Sequence, residues 1–325
     1  MSSVKVRDFA SEAPPQPRPG PTSNTPAAGA QERRQTAVAS FEGTFAPGAR
    51  PPFEPHRAVP WYRDRAYYLD GWTNPVIWKS AICELVGTAA LVFVGGQVSA
   101  TIVSYGTPQI GAYIGISNIV IIAVFIYAVS PASGGHLNPM ISFTTMLTGM
   151  CPCPRAVLYM CGQLLGGALG GAFLSGVWGR ELSTRLQGGG CFYDSAEISV
   201  GRVFLNEIAM SFVLLLLAFG VGLDPRQALL FGPKLGPLLV GVSLGLTSFA
   251  GSGMIPGYPG AQMNPARCFA CGVARRDLGG QWIWWFGPAI AGMMLAVFYN
   301  TLPPHHAEDK EEKRARVRSG PEISA

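Results

Sequence analysis

His136-Leu137-Asn138-Pro139 and Met263-Asn264-Pro265-Ala266-Arg267 are two versions of one short phrase in a chain of 325 residues. Each Asn-Pro opens an apolar stretch, roughly 138–148 and 264–273. Crossing a bilayer as a helix takes about 20 residues, so neither stretch is long enough to span. Proline at a first helical turn gives up no needed N–H, and asparagine before it can cap the turn. Both stretches are therefore expected to be half-helices that enter a membrane and stop. A lone Asn-Pro is an ordinary turn, and Asn74-Pro75 is read that way. Two at matched repeat positions are not.

The text around the two phrases is also duplicated. Cys83-Glu84-Leu85-Val86-Gly87-Thr88 precedes the first, and Asn206-Glu207-Ile208-Ala209-Met210-Ser211 the second. Glu84 stands 54 residues before Asn138, and Glu207 stands 57 before Asn264. After each half-helix comes a segment rich in small residues, Gly162–Gly167 and Gly287–Gly292, of the kind that lets membrane helices pack closely. Hydropathy marks six spans, roughly 77–103, 113–130, 156–178, 203–222, 235–251 and 281–301. Three spans per copy is an odd number, so the second copy enters upside down. The half-helices then dip from opposite faces and meet by their Asn-Pro ends near the midplane.

Composition agrees with a membrane protein: 48% hydrophobic and 13% charged, against about 25% charged in soluble domains. The net charge of +5 is spread over tails and loops and gives no nucleic-acid footprint. Residues 1–74 are rich in Pro, Gly, Ala and Ser and read as a disordered tail, with Trp61–Trp78 suited to the membrane interface. Met1–Arg57 has no apolar signal-peptide core, so the first span is expected to direct its own insertion. A channel domain follows over 75–303 (repeats 76–180 and 200–303), then a charged tail, 304–325. Eighteen of the 24 Lys and Arg fall on the side that holds both tails, which makes both termini cytoplasmic. Arg33-Arg34-Gln35-Thr36 and Arg316-Val317-Arg318-Ser319 have the look of basic-directed phosphorylation sites. The seven cysteines show neither paired Cys-x-x-Cys units nor a disulfide framework, and Cys151-Pro-Cys-Pro reads as a stiff turn before a metal site. No nucleophile elbow, P-loop or metal-ligand helix is present, so neither an enzyme nor a cofactor is indicated.

The two boxes resemble the signature boxes of the major intrinsic protein (aquaporin) family, and the resemblance covers roughly 76–303. Asn264-Pro265-Ala266-Arg267-Cys268 and Gly188-Gly189-Gly190-Cys191 further resemble the X intrinsic proteins of plants and fungi. The resemblance implies the aquaporin fold: an all-α membrane protein of six transmembrane helices and two re-entrant half-helices, assembled as a homotetramer with one pore per subunit. It implies a passive channel for small uncharged solutes and water in the lipid bilayer. A long tail without a sorting signal suits the plasma membrane.

Opposed half-helices place about half a positive charge each at the midplane. Asn138 and Asn264, with Pro139, Met140, Pro265 and Ala266, are the expected midplane residues. The asparagines cap the ends and still donate amide N–H groups to a passing oxygen, which breaks a proton wire and repels cations. An intramembrane Arg267 is costly unless it faces a cavity, whereas Arg275 and Arg276 suit snorkelling at the far end. The resemblance places Arg267 in an outer constriction with Asn118, Thr247 or Ser248, and Ala261. That ring is small and amide-bearing, unlike the aromatic and His ring of water-selective members, and points to glycerol, urea, hydrogen peroxide or boric acid. Met140 either packs aside or narrows the passage. Glu84 and Glu207 are expected to accept bonds from the unwound backbone before each box, with His136 bracing the same loop and Gln163 bonding between helices. Cys191 and Cys268 are candidates for a disulfide or redox gate, the alternative being inert buried thiols. A coupled transporter or a closed structural protein remains as an alternative.

Overall fold

The computed structural model describes residues 61–224 and 231–301. A 3-10 turn, Trp61–Arg63, leads into α1 (Arg65–Leu69). Among the described residues, six helices are long and apolar enough to cross a membrane. They are α2 (Pro75–Ser104), α3 (Ile110–Ser133), α5 (Cys153–Arg185), α6 (Val200–Ala218, continued by a π-helical turn Phe219–Leu223), α7 (Gly232–Gly251) and α9 (Gln281–Thr301). Between them sit the two half-helices, α4 (Pro139–Leu147) and α8 (Pro265–Arg275). Six crossings put Pro75 and Thr301 on one face, called the tail face below, and the opposite face is the far face.

The repeat is visible in the packing. α2 lies on α5 as α6 lies on α9, and α5 lies on α8 as α9 lies on α4. α3 and α7, equivalents of one another, pack together. Close approach is bought by glycine on α5. A Cβ at Gly162 or Gly170 would lie 2.6 Å from the carbonyl of Ala81 or Ala89 on α2. At Gly167, on the adjoining face of the helix, it would lie 2.5 Å from the carbonyl of Ala266 on α8. Two faces of one helix are thus stripped bare so that a span and a half-helix both fit against it. The outward faces carry exposed Ile116, Leu165, Leu205 and Val297, apolar surface suited to lipid.

Two features differ from the sequence expectation. Asn74-Pro75 is not an ordinary turn: Asn74 accepts from Val76 N at 2.9 Å and caps the start of α2. Residues 61–69, placed in the disordered tail by composition, form two short helical pieces. They are held by the half-helix behind them. The Tyr67 hydroxyl lies 2.6 Å from Met146 O in the last turn of α4 and 2.7 Å from Cys151 O in the loop that follows it. The phosphorylation-like motifs and the 304–325 tail lie outside the described residues.

Candidate functional site

The two half-helices meet through their caps. Asn138 Oδ1 accepts from Met140 N at 2.9 Å. Asn264 Oδ1 accepts from Ala266 N at 3.0 Å and Arg267 N at 3.2 Å. Each amide then reaches across the junction. Asn138 Nδ2 donates to Met263 O (2.9 Å), and Asn264 Nδ2 donates to Leu137 O (3.1 Å). An amide nitrogen has two hydrogens, so each asparagine uses one for this clasp and keeps one for the cavity. The residue ahead of each asparagine is bent into the left-handed region, Leu137 at φ 51° and Met263 at φ 55°. Non-glycine residues hold that conformation only when their surroundings enforce it.

The enforcement comes from the buried carboxylates. Glu84 takes Ser133 Oγ and His136 N on one oxygen and Leu137 N and Gln163 Nε2 on the other, at 2.6–3.0 Å. Glu207 takes Tyr258 Oη and Gln262 N on one oxygen and Met263 N on the other, at 2.7–3.1 Å. Both are 0% exposed, which keeps them out of any aqueous path. His136 Nδ1 lies 3.0 Å from Ser142 Oγ, itself bonded to Gln163, so the imidazole is tied into the same network. Ser133 and Tyr258 had no signal in the sequence: one is an unremarkable helix-end serine, the other sits in an irregular Gly- and Pro-rich loop.

A cavity of about 380 Å³ passes both asparagines. Its far-face half is walled by Asn118, Ser248, Ala261 and Arg267. Asn118 Nδ2 donates to Ser248 Oγ at 2.8 Å. Of the two residues left open on the fifth span, Thr247 turns away, its hydroxyl donating to Ser243 O and Leu244 O of its own helix. The tail-face half is more apolar, with Ile141, Leu214, Val240 and Leu244. Met140, Pro139, Pro265 and Ala266 are buried behind the wall and do not line it. Met140 packs in a core cluster with Leu214, Met263 and Leu295 and leaves the passage unnarrowed.

A loop completes the far-face wall. Gln187, Gly189, Gly190 and Phe192 line the cavity beside Arg267. Arg267 Nη2 donates to Gly189 O at 3.4 Å, and Nη1 lies 3.5 Å from Cys191 Sγ. Cys191 and Cys268 are joined as a disulfide across 77 residues of sequence. Arg275 is not the snorkelling residue its position suggested. Its side chain is 7% exposed and donates to Cys191 O at 2.9 Å and to Gln187 O at 3.5 Å. The Gly188–Gly190 run was the sequence signal for this loop, since consecutive glycines mark close backbone approach.

Residues 71–299 match the family model described as Major intrinsic protein. The chain belongs to the major intrinsic protein family. Aquaporin TIP4-1 of Zea mays is 32% identical over 233 residues, covering 69% of this chain and 85% of that protein. The lens fiber major intrinsic protein of Lithobates pipiens is 27% identical and covers 69% and 81%. Among solved structures, the aquaglyceroporin from Plasmodium falciparum superposes with a TM-score of 0.57 at 21% identity, covering 70% of this chain and 96% of that one. As a member of the family the chain is a multi-pass membrane channel that passes water and small solutes passively, and it is not an enzyme.

Proposed function

We propose that this channel conducts small neutral polar solutes, glycerol, hydrogen peroxide, urea and boric acid among them, with some water, while rejecting ions and protons. The observation that carries the reading is the composition of the far-face ring. Arg267 offers N–H donors. Asn118 gives one amide hydrogen to Ser248, which leaves its second hydrogen and Oδ1 for a solute. Ala261 adds little bulk, and the neighbouring wall from Leu91 and Ile122 is apolar. A solute with hydroxyls on one edge and carbon on the other exchanges its hydration for such a wall. Rejection of charge belongs to the Asn138–Asn264 junction, where two helix N-termini face each other. Coupled transport would need a titratable group in the passage. Glu84 and Glu207 are buried and engaged with backbone, and His136, which lines the passage, is tied through Nδ1 to Ser142, which favours passive flow.

The excess of Lys and Arg favours a cytoplasmic tail face. The exposed apolar helix faces suit a homotetramer, and the unsorted tail suits the plasma membrane. The X intrinsic protein resemblance of the Asn264–Cys268 box fits the same wide ring. Stopped-flow light scattering on proteoliposomes, with a peroxide-sensitive dye inside, tests the solute reading. Glycerol and peroxide flux well above protein-free vesicles is expected. Water flux with no passage of any of the four solutes would overturn it. Arg267→Val should reorder the solutes, and an unchanged order would remove Arg267 from the constriction.

A further inference from the structure

The loop beside Arg267 is strained. Five consecutive residues have positive φ: Gln187 at 52°, Gly188 at 66°, Gly189 at 97°, Gly190 at 136° and Cys191 at 51°. Glycine adopts such angles freely, but Gln187 and Cys191 do not. A run of this kind persists only where other parts of the fold impose it.

The restraint comes from one face of α8. Arg267, Cys271 and Arg275 are spaced four residues apart and so share a face, with Cys268 beside them. Cys268 holds the loop by the disulfide to Cys191. Cys271 supplies the carbonyl against which Gly188 lies with no room for a side chain. Arg275 grips both ends of the run through Cys191 O and Gln187 O. The loop in turn holds Arg267, through Gly189 O and the Cys191 sulfur. Arg275 is absent from the cavity wall. Its carboxylate neighbour, Asp277, is 3.8 Å away and 68% exposed, so that ion pair contributes little to holding it.

We propose that Arg275 is a positioning residue for solute selection: with the Cys191–Cys268 bridge it fixes the Gln187–Cys191 loop, and the loop sets where Arg267 presents its donors. This deepens the constriction reading above and rests on it. The clasp engages the Arg267 backbone N–H and not its guanidinium, so the dipole-based rejection at the midplane is untouched when the loop shifts.

The test compares Arg275→Met, Arg275→Lys and wild type after a membrane-permeant reductant, with Arg267→Val as the reference. The glycerol-to-water permeability ratio and proton leak are read in proteoliposomes made from material that elutes as folded protein. Gaining or losing one hydrogen bond between solute and wall changes a ratio by about threefold to tenfold. Arg275→Met is expected to shift the glycerol-to-water ratio by that amount with no proton leak. Arg275→Lys, which restores one donor to Cys191 O, should return part of it, and reduction should shift the ratio in wild type. Equal loss of both permeabilities, with the ratio kept, would mean that Arg275 only supports folding and would overturn the proposal. If Arg275→Met does not fold, an unchanged ratio in both Arg275→Lys and reduced wild type overturns it. An unchanged ratio in Arg267→Val fails the constriction reading itself, and the proposal with it.

Discussion

Glu84→Gln is a one-atom change whose cost follows from the bonds around it. The carboxylate accepts from Ser133 Oγ (2.6 Å), His136 N (3.0 Å), Leu137 N (2.6 Å) and Gln163 Nε2 (2.8 Å). Glutamine keeps one oxygen and turns the other site into a donor. The Ser133 hydroxyl can rotate, and Gln163 can turn its amide to offer oxygen. The two backbone N–H groups cannot adapt, so either His136 or Leu137 is left facing an NH₂. Losing a hydrogen bond to a charged group costs about 1.5–3 kcal/mol, and orphaning a buried N–H about 1–3 kcal/mol. The sum, about 2.5–6 kcal/mol, is a large part of the 5–15 kcal/mol typical of a folded domain. The same counting at Glu207 leaves either Gln262 N or Met263 N unpaired, because the Tyr258 hydroxyl can rotate. Glu84→Gln and Glu207→Gln should therefore lose similar stability, although one sits among Ser and Gln and the other beside Tyr. Denaturant titration in detergent, followed by tryptophan fluorescence and by elution of folded protein, measures both. A loss under about 1 kcal/mol in either variant would mean that the left-handed Leu137 or Met263 is not held by its carboxylate.

Asn264→Asp puts a carboxylate where the two helix N-termini meet, so cation leak through proteoliposomes should rise; an unchanged leak would count against dipole-based rejection. Tyr67→Phe removes the hydroxyl shared by Met146 O and Cys151 O, and a loss of about 1–2 kcal/mol is expected in the same denaturant assay. No loss would show that Gly149 N alone satisfies Met146 O and that the Tyr67 hydroxyl does not hold the Trp61–Leu69 segment. Burial pushes the Cys151 thiol up to about 12. A raised thiol stays neutral, with a thiolate fraction near one in ten thousand at pH 8, so maleimide should label Cys151 only after unfolding. Labelling within minutes on folded protein, read by mass spectrometry, would contradict the buried placement.

The architecture was legible because its signals are local and repeated. Asn-Pro at two matched positions, an odd span count per copy and two buried-type glutamates need no tertiary information to be read. What escaped depended on which way a side chain turns. Thr247 and Ser248 are neighbours on one helix, and only the bond from Asn118 on the adjoining α3 distinguishes them. Asn74 carries the same dipeptide as the boxes, but it caps a full span, and nothing in the dipeptide states the length of the helix it starts. Arg275 looked like a surface cation because an arginine near a helix end usually reaches water. Here the irregular loop folds over it and offers carbonyls instead, and such a loop has no periodicity from which its path could be inferred.

The duplication also explains why the cavity wall is lopsided. Position by position the boxes are equivalent, and both third residues after the asparagine, Ile141 and Arg267, reach the cavity wall. The fourth residues, Ser142 and Cys268, each tether their half-helix to a neighbour, one by hydrogen bonds to His136 and Gln163, the other by a disulfide to Cys191. The scaffold is thus symmetric and its substitutions are not. The tail-face copy presents an apolar side chain to the passage, and the far-face copy presents a guanidinium with a loop folded over it. A symmetric junction is enough to turn away charge, because that needs only two opposed helix ends. Discrimination among neutral solutes needs specific donors and acceptors. In this chain polar groups of both kinds gather on the far-face half of the cavity, at Arg267 of the second copy, at the inter-repeat loop it touches, and at Asn118 of the first copy with Ser248 of the second.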